Sequence, residues 1–366
     1  MLYVAQSIPR GISHGIQPHM TDEQQSETVG QYGEFRLIDR LNRFVKAGAG
    51  VIVGIGDDTA VLEKSPSTVL LATCDGQVEG VHFLRESTSA TALGHRALAV
   101  NLSDIAAMGG TALWALVALT LPTNLPVTWV DDLYCGMTTL ADQHGVSIVG
   151  GNLSGSPGGI VIDITLLGEV AADRRLTRSE ARPGDAIIVT GVPGESAAGL
   201  ELILRPALRE RVPSDVAERL IRRHQWPQPR LAAGRRLADL GCITAAIDVS
   251  DGLTADLSHI LDASNVGATL EAARLPISET LATFATAVGR QADEFVLTGG
   301  EAYELLITCP PERCDEVIAA LVEVDVSAAR IGFIEERAGL RLVDYAGSMS
   351  EIDTRGHDHF ATEERR

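Results

Sequence analysis

Seven acidic residues of this chain fall at strand ends or in Gly-rich loops: Asp57, Asp58, Asp75, Asp104, Asp248, Asp251 and Glu301. Asp57 and Asp58 are adjacent within GIGDDTAVL (residues 54–62), between glycines and a short apolar run. Neighbouring carboxylates repel one another, so the pair belongs on a loop where something cationic offsets the charge. Taken alone, Gly-Asp-Asp reads as a solvated turn, but here it is not isolated. Brought together, the seven acids require several divalent cations. Mg²⁺ takes oxygen ligands and typically shares one or two carboxylates with substrate phosphates. Such a set suits phosphoryl transfer, in which positioning and charge neutralisation carry most of the catalysis.

The elements that must present these acids are visible as local patterns. Residues 68–73 (TVLLAT) read as a buried strand that delivers Cys74, Asp75 and Gly76 at its end. Residues 90–108 read as a long helix stopped by Gly109-Gly110, with Asn101, Ser103 and Asp104 near its end. These three are poor helix formers, which gives their side chains a purpose beyond propensity. Apolar neighbours on both sides argue against an exposed polar face. A strand at 146–149 runs into Gly150-Gly151-Asn152, a strand at 245–249 ends in Ser250-Asp251-Gly252, and the loop TGGE (298–301) ends in Glu301. TCDG and VSDG form a weak internal echo, each placing Asp-Gly just after an apolar strand. Leu37, Ile38, Leu41 and Phe44 have the spacing of a short amphipathic helix. The basic stretch 174–184, with Arg174, Arg175, Arg178 and Arg182, marks a domain boundary and reads either as a polyphosphate contact or as a solvated linker.

Strands and helices alternate in both halves without strict βαβ regularity, which predicts an α/β to α+β protein of two domains. The expected division is a tail over 1–32, an N-terminal domain over 33–173 and a C-terminal domain over 174–366. The first stretch lacks the apolar core of a signal peptide and reads as a mobile tail, with Met20 as the expected true start. The chain has 366 residues and a net charge of −19, which argues against nucleic acid or an anionic membrane as its main partner. No apolar run approaches the roughly 18 residues that span a bilayer. Five cysteines, odd in number and without a C-x-x-C pair, predict a reduced cytoplasmic protein.

Several motifs together resemble one family. GEF-x-LI-x-RL (33–41), GIGDDTAVL, VEGVHF (78–83), ALAVNLSDIAAMGG (97–110), LTRS (176–179), RPGD (182–185), IDVSDGL (247–253), LTGGEAYEL (297–305) and the terminal GHDHF (356–360) are similar to thiamine-monophosphate kinase, in the same order and over nearly everything after the tail. The resemblance implies a two-domain AIR synthase-like (PurM-like) fold and a homodimer formed by the N-terminal domains. It implies transfer of the γ-phosphoryl group of ATP directly to thiamine monophosphate, giving thiamine diphosphate and ADP. Carried over by motif, Asp58, Asp75, Asp104, Asp248 and Asp251 hold Mg²⁺, with Cys74 and Asn152 at the corresponding further positions and Asp57 a weaker candidate. Gly151, Ser250 and Arg178 contact ATP, and Arg178 with Asp104 and Asp251 serves the transferred phosphoryl. His82 meets the phosphate end of the acceptor, Glu301 its cationic organic part, and His357 its ring. Without the motif, His82 reads as a core histidine between Val81 and Phe83.

Four positions depart from the family pattern. Cys74 stands where Thr is usual, Asn152 replaces Asp, Ala302 replaces the Asp of GGEDYEL, and His357 replaces an aromatic, often Tyr. A soft thiol is a poor Mg²⁺ ligand, and Asn keeps a carbonyl but loses the charge. These departures keep two alternatives open: an AIR synthase-like enzyme with a different acceptor, and a non-catalytic nucleotide-binding homologue.

Overall fold

A computed structural model describes residues 27–32, 34–46, 48–53, 61–62, 67–352 and 354. Asp57, Asp58 and His357 lie outside these, as does the GHDHF motif. Among the described residues no helix is long and apolar enough to cross a membrane.

The N-terminal domain contains α1 (Val29–Tyr32), α2 (Glu34–Leu41), β1 (Val51–Val53), β2 (Val61–Leu62), β3 (Thr68–Val78), α3 (Ala90–Ala107), β4 (Thr111–Pro122), α4 (Val127–His144), β5 (Ser147–Ser156) and β6 (Val161–Ala171). Its main sheet has the order β3-β6-β4-β5, with β3 and β4 antiparallel to β6 and β5 parallel to β4. The chain ahead of Gly33, expected as tail, is tied in from residue 27. The Val29 amide donates to Leu125 O at 2.7 Å, and the Val127 amide to Glu27 O at 2.9 Å. The ordered domain therefore reaches back at least to Glu27.

In the C-terminal domain follow β7 (Ala186–Thr190), α5 (Glu195–Leu204), α6 (Ser214–Gln225), α7 (Leu231–Leu240), β8 (Ala245–Asp248), α8 (Leu253–Ser264), β9 (Gly267–Glu271), α9 (Glu279–Val288), α10 (Ala292–Thr298), β10 (Leu305–Cys309), α11 (Cys314–Val322), β11 (Ala328–Glu335), β12 (Gly339–Val343) and β13 (Met349–Glu351). Their sheet has the order β13-β12-β9-β11-β7-β10-β8. The short strand β8 lies at its edge and pairs only with β10 among the described strands.

Helix α3 is the element on which both domains meet. Ser89 caps its start, its side chain accepting the Ala92 amide. It is buried over its whole length except at Thr91 and Asp104. A helix apolar on nearly every side is a core helix, and α3 packs on β3 and α4 of its own domain and on α7 and β8 of the other. One apolar cluster accordingly runs from Leu98 and Ile105 through Leu231 and Leu237 to Ala246 and Ile307.

The sequence placed Asp75 beyond the end of a strand; the structure places it inside one. β3 continues through Gly76, opposite Asp163, to Val78, opposite Val161, because β6 offers backbone partners all along it. The second half of the Asp-Gly echo differs. β8 ends at Asp248 and frees Ser250-Asp251-Gly252 as a loop into α8.

Candidate active site

The polar residues of α3 each meet a partner. The Asp75 amide donates to Asn101 Oδ1 at 3.0 Å, and Ser103 Oγ donates to Asp248 Oδ2 at 2.7 Å. Thr73 Oγ1 donates to Asp104 Oδ2. Asn101 and Ser103 are 0% exposed, so their polarity serves these bonds and no solvent face. The helix thereby brings Asp104 beside Asp75 of β3 and draws Asp248 of the other domain toward both. Burial, then the Asp104 charge, raises Asp75 to about 6. Burial and Asp104 raise Asp248 to about 7, opposed by the Ser103 hydroxyl.

The loop after β8 is shaped by Asp256, a residue the sequence motifs did not single out. Its Oδ2 accepts the amides of Ser250, Asp251 and Gly252 at 3.0, 3.1 and 3.1 Å. Gly252 has φ 123°, a conformation that glycine adopts without strain. Burial and the Asp251 charge lift Asp256 to about 7 against the pull of its three N–H donors. Asp251 is thus held at the start of α8.

The opposite wall is the TGGE loop. Glu301 has φ 60° and Tyr303 φ 52°, both left-handed and unusual for residues with side chains. The Glu301 amide donates to Ser250 O at 2.6 Å, joining the two loops. Its carboxylate meets Arg96 of α3 and His224 of α6. Burial and the Arg96 charge lower His224 to about 4.

These walls enclose a cleft of about 970 Å³ between the domains. Asp75, Asp104, Asp248 and Asp251 line one part of it, with Ser250 and Glu301 adjacent. Val81, Leu84, Val100, Leu200 and Leu204 supply apolar wall. Exposed Val81, Leu84 and Leu204 are therefore a cleft lining and not stray surface residues. His82 also lines the cleft, half-buried, where the residue types alone suggested a core histidine. The Val78 amide donates to its Nδ1 at 3.0 Å, so the neutral ring carries its proton on Nε2.

Four expected site residues stand elsewhere. Cys74 is exposed, and its thiol accepts from Thr165 Oγ1 at 3.6 Å. Strand alternation explains this: Thr73 and Asp75 face α3, so Cys74 faces outward. Asn152 is exposed opposite Ala118, on the strand at the far edge of the sheet from β3. Gly151 is on that same strand, where a Cβ would lie 1.8 Å from Val117 O, so packing between β4 and β5 demands glycine there. Arg178 is exposed and does not line the cleft; its carbonyl accepts from Ser264 Oγ. The Cys74 thiol, Asn152, Gly151 and Arg178 are accordingly not brought to the acids within this chain. Residues missed in the sequence are Arg96, His224 and Asp256. A lone arginine amid the apolar run of α3 was the available signal for the first.

The donor set of the cleft fits Mg²⁺ by its chemistry, being carboxylate oxygen throughout, with mutual repulsion that a cation would relieve. Among the described residues no three acids, histidines or cysteines converge tightly enough to chelate one ion by themselves. Mg²⁺ does not require that, since it keeps waters and shares phosphate oxygens.

Two mixed sheets in separate domains that meet on α3, with an acid-lined cleft between the domains, are the architecture of an AIR synthase-related protein. Residues 56–170 match the family model of the AIR synthase related protein N-terminal domain, and residues 182–345 that of the C-terminal domain. Thiamine-monophosphate kinase of Escherichia coli (strain K12) is 40% identical over 332 residues, 90% of this chain and 99% of its own. The crystal structure of thiamine-monophosphate kinase from Stenotrophomonas maltophilia K279a superposes with a TM-score of 0.75 at 37% identity, covering 84% of this chain and 95% of that one. A structure described as AaThiL complexed with AMPPCP and TMP gives 0.71 at 36% identity, covering 90% and 97%. The chain belongs to the thiamine-monophosphate kinase family.

Proposed function

We propose that this protein is a thiamine-phosphate kinase, which transfers the γ-phosphoryl group of ATP to the phosphate of thiamine monophosphate, giving thiamine diphosphate and ADP. The observation that carries this reading is the cleft. Four carboxylates from both domains gather in one part of it, and apolar wall and Glu301 line the rest. Asp75, Asp104, Asp248 and Asp251 would hold Mg²⁺, with Asp58 joined to them by motif. When bound, the metal neutralises the phosphates and the developing charge of transfer.

The chain's own groups do the rest by position. Ser103 and Asn101 hold Asp248 and the Asp75 backbone, so the two domains share one set of carboxylates. Asp256 fixes the Ser250-Asp251 loop, leaving Ser250 at the cleft for the nucleotide. The protonated Nε2 of His82 donates to a phosphate oxygen of the acceptor. No phosphoenzyme is needed.

The reading extends to a homodimer. The face of the N-terminal sheet turned away from α3 carries Leu70, at 50% exposed, with Ala72, Leu116 and Leu167 beside it. An apolar sheet face of this kind suits pairing with a second copy. Cys74 and Asn152 would then be interface residues. The five free cysteines support a reducing cytoplasmic setting.

The test is ADP release from Mg-ATP with and without thiamine monophosphate, with the product identified by mass. Acceptor-dependent ADP together with thiamine diphosphate is the expected result. ATP binding without acceptor-dependent ADP would overturn the assignment.

A further inference from the structure

Gln77 stands on β3 between Cys74-Asp75-Gly76 and the VEGVHF segment. Side chains alternate along a strand, so Gln77 shares with Leu71, Thr73 and Asp75 the face of β3 turned toward α3. It is 4% exposed and lines the cleft beside Asp75 and His82. Its Nε2 donates to Gly76 O at 3.2 Å. Its Oε1 is buried and has no hydrogen-bond partner among the described residues.

A buried acceptor without a donor bears the full desolvation penalty of its oxygen, so such an atom calls for a partner that the chain itself does not supply. Asp75 on the same face offers acceptors too, and the missing partner must therefore be rich in donors. A water bound to Mg²⁺ is such a partner. The ion occupies its oxygen and polarises its O–H groups, and Mg²⁺ keeps several waters because it dehydrates reluctantly. The dimensions agree. Residues two apart on a strand are separated by about 7 Å. A metal-bound water serves an acceptor about 5 Å from the ion, through a bond of about 2.1 Å and a hydrogen bond of about 2.7 Å. The terminal torsion of glutamine is soft, so Oε1 turns into the cleft for the loss of the long Gly76 bond alone.

We propose that Gln77 is a positioning residue for the metal, its Oε1 accepting a hydrogen bond from a water of the Mg²⁺ that Asp75 holds. A neutral amide suits this task. A further carboxylate here would add to the repulsion among the acids already present, and an apolar side chain would leave the water without its acceptor. The inference rests on the metal reading of the cleft given above and adds an outer partner to it.

The experiment measures thermal unfolding of the metal-free protein and calorimetric titration with Mg²⁺ alone, for wild type and Gln77→Leu. Leucine removes the unpaired oxygen, so the metal-free variant should unfold at the wild-type temperature or above it. The same substitution should weaken Mg²⁺ binding about tenfold, as loss of an outer partner of a metal does. Ca²⁺ sheds its waters more readily and takes protein oxygens directly, so its binding should weaken less. Gln77→Met, closer to glutamine in shape, repeats all three measurements should leucine not fit. Unchanged Mg²⁺ affinity in a folded variant would overturn the inference and leave Gln77 as a packing residue. Equal weakening of Mg²⁺ and Ca²⁺ would overturn it too, since that marks a disturbed set of acids. So would a lowered metal-free midpoint in both variants, because Oε1 would then have a partner within the chain. A wild type that does not respond to Mg²⁺ overturns the metal reading itself. Wild-type Mg²⁺ binding that is indifferent to residue 77 overturns this inference alone.

Discussion

Ser103 on the central helix of one domain donates its hydroxyl to Asp248 Oδ2 at 2.7 Å, at the end of an edge strand of the other. Both residues are buried, and Asp248 has little other relief from the neighbouring acids. Ser103→Ala should therefore leave a buried carboxylate short of a donor, at a cost of about 1–3 kcal/mol. Thermal unfolding checks this: the midpoint should fall, whereas an unchanged midpoint would mean that Asp248 finds another partner.

Asp104 is the acid that most affects its neighbours, since its charge raises both Asp75 and Asp248. Asp104→Asn keeps an oxygen to accept from Thr73 and removes only the charge. The fold should survive and acceptor-dependent ADP release should drop about a hundredfold or more. Circular dichroism and an ADP assay measure the two halves. Retained turnover would remove Asp104 from the metal set.

The raised carboxylates link stability to pH with a defined sign. Asp75 and Asp248 titrate at about 6 and about 7 in the folded chain, above the ordinary aspartate value of about 4. Between about pH 4 and 7 the folded state holds protons that the unfolded chain has released. Their contribution is full below the unfolded value and is lost as pH rises through the folded values. Metal-free protein should show a falling thermal midpoint from about pH 5 to 7.5. Mg²⁺ should restore more at the higher pH, where it no longer competes with those protons. Equal Mg²⁺ stabilisation at both pH values would contradict a metal role for these acids.

Leu116 is on the outer face of the N-terminal sheet, in the row with Thr165 and Cys74. Leu116→Arg places a charge on the proposed dimer face without touching the cleft. Light scattering should report the monomer mass for the variant and twice that for the wild type. A wild-type monomer would rule the dimer out.

Much of this architecture was legible from local pattern. The run ALAVNLSDIAAMGG announces a buried helix with three polar residues that need partners, and α3 is that helix. The strand alternation that turns Cys74 away from Asp75 was equally present in the sequence. It was hidden by the expectation that the strand stops at Thr73. Strand length depends on the partner, and β6 lies far along the chain.

The sequence by itself determined the family motifs, the acids and the apolar periods that make α3 and the strands, because these follow from side-chain type and short-range spacing. Only the tertiary structure decided which acids meet, because that depends on how the two domains pack across α3. It separated Asn152 and Arg178 from the cleft. It also joined Arg96 to His224, residues 128 apart in sequence, and both to Glu301. No local pattern encodes such a contact, since its strength comes from tertiary burial that removes water from Arg96 and His224.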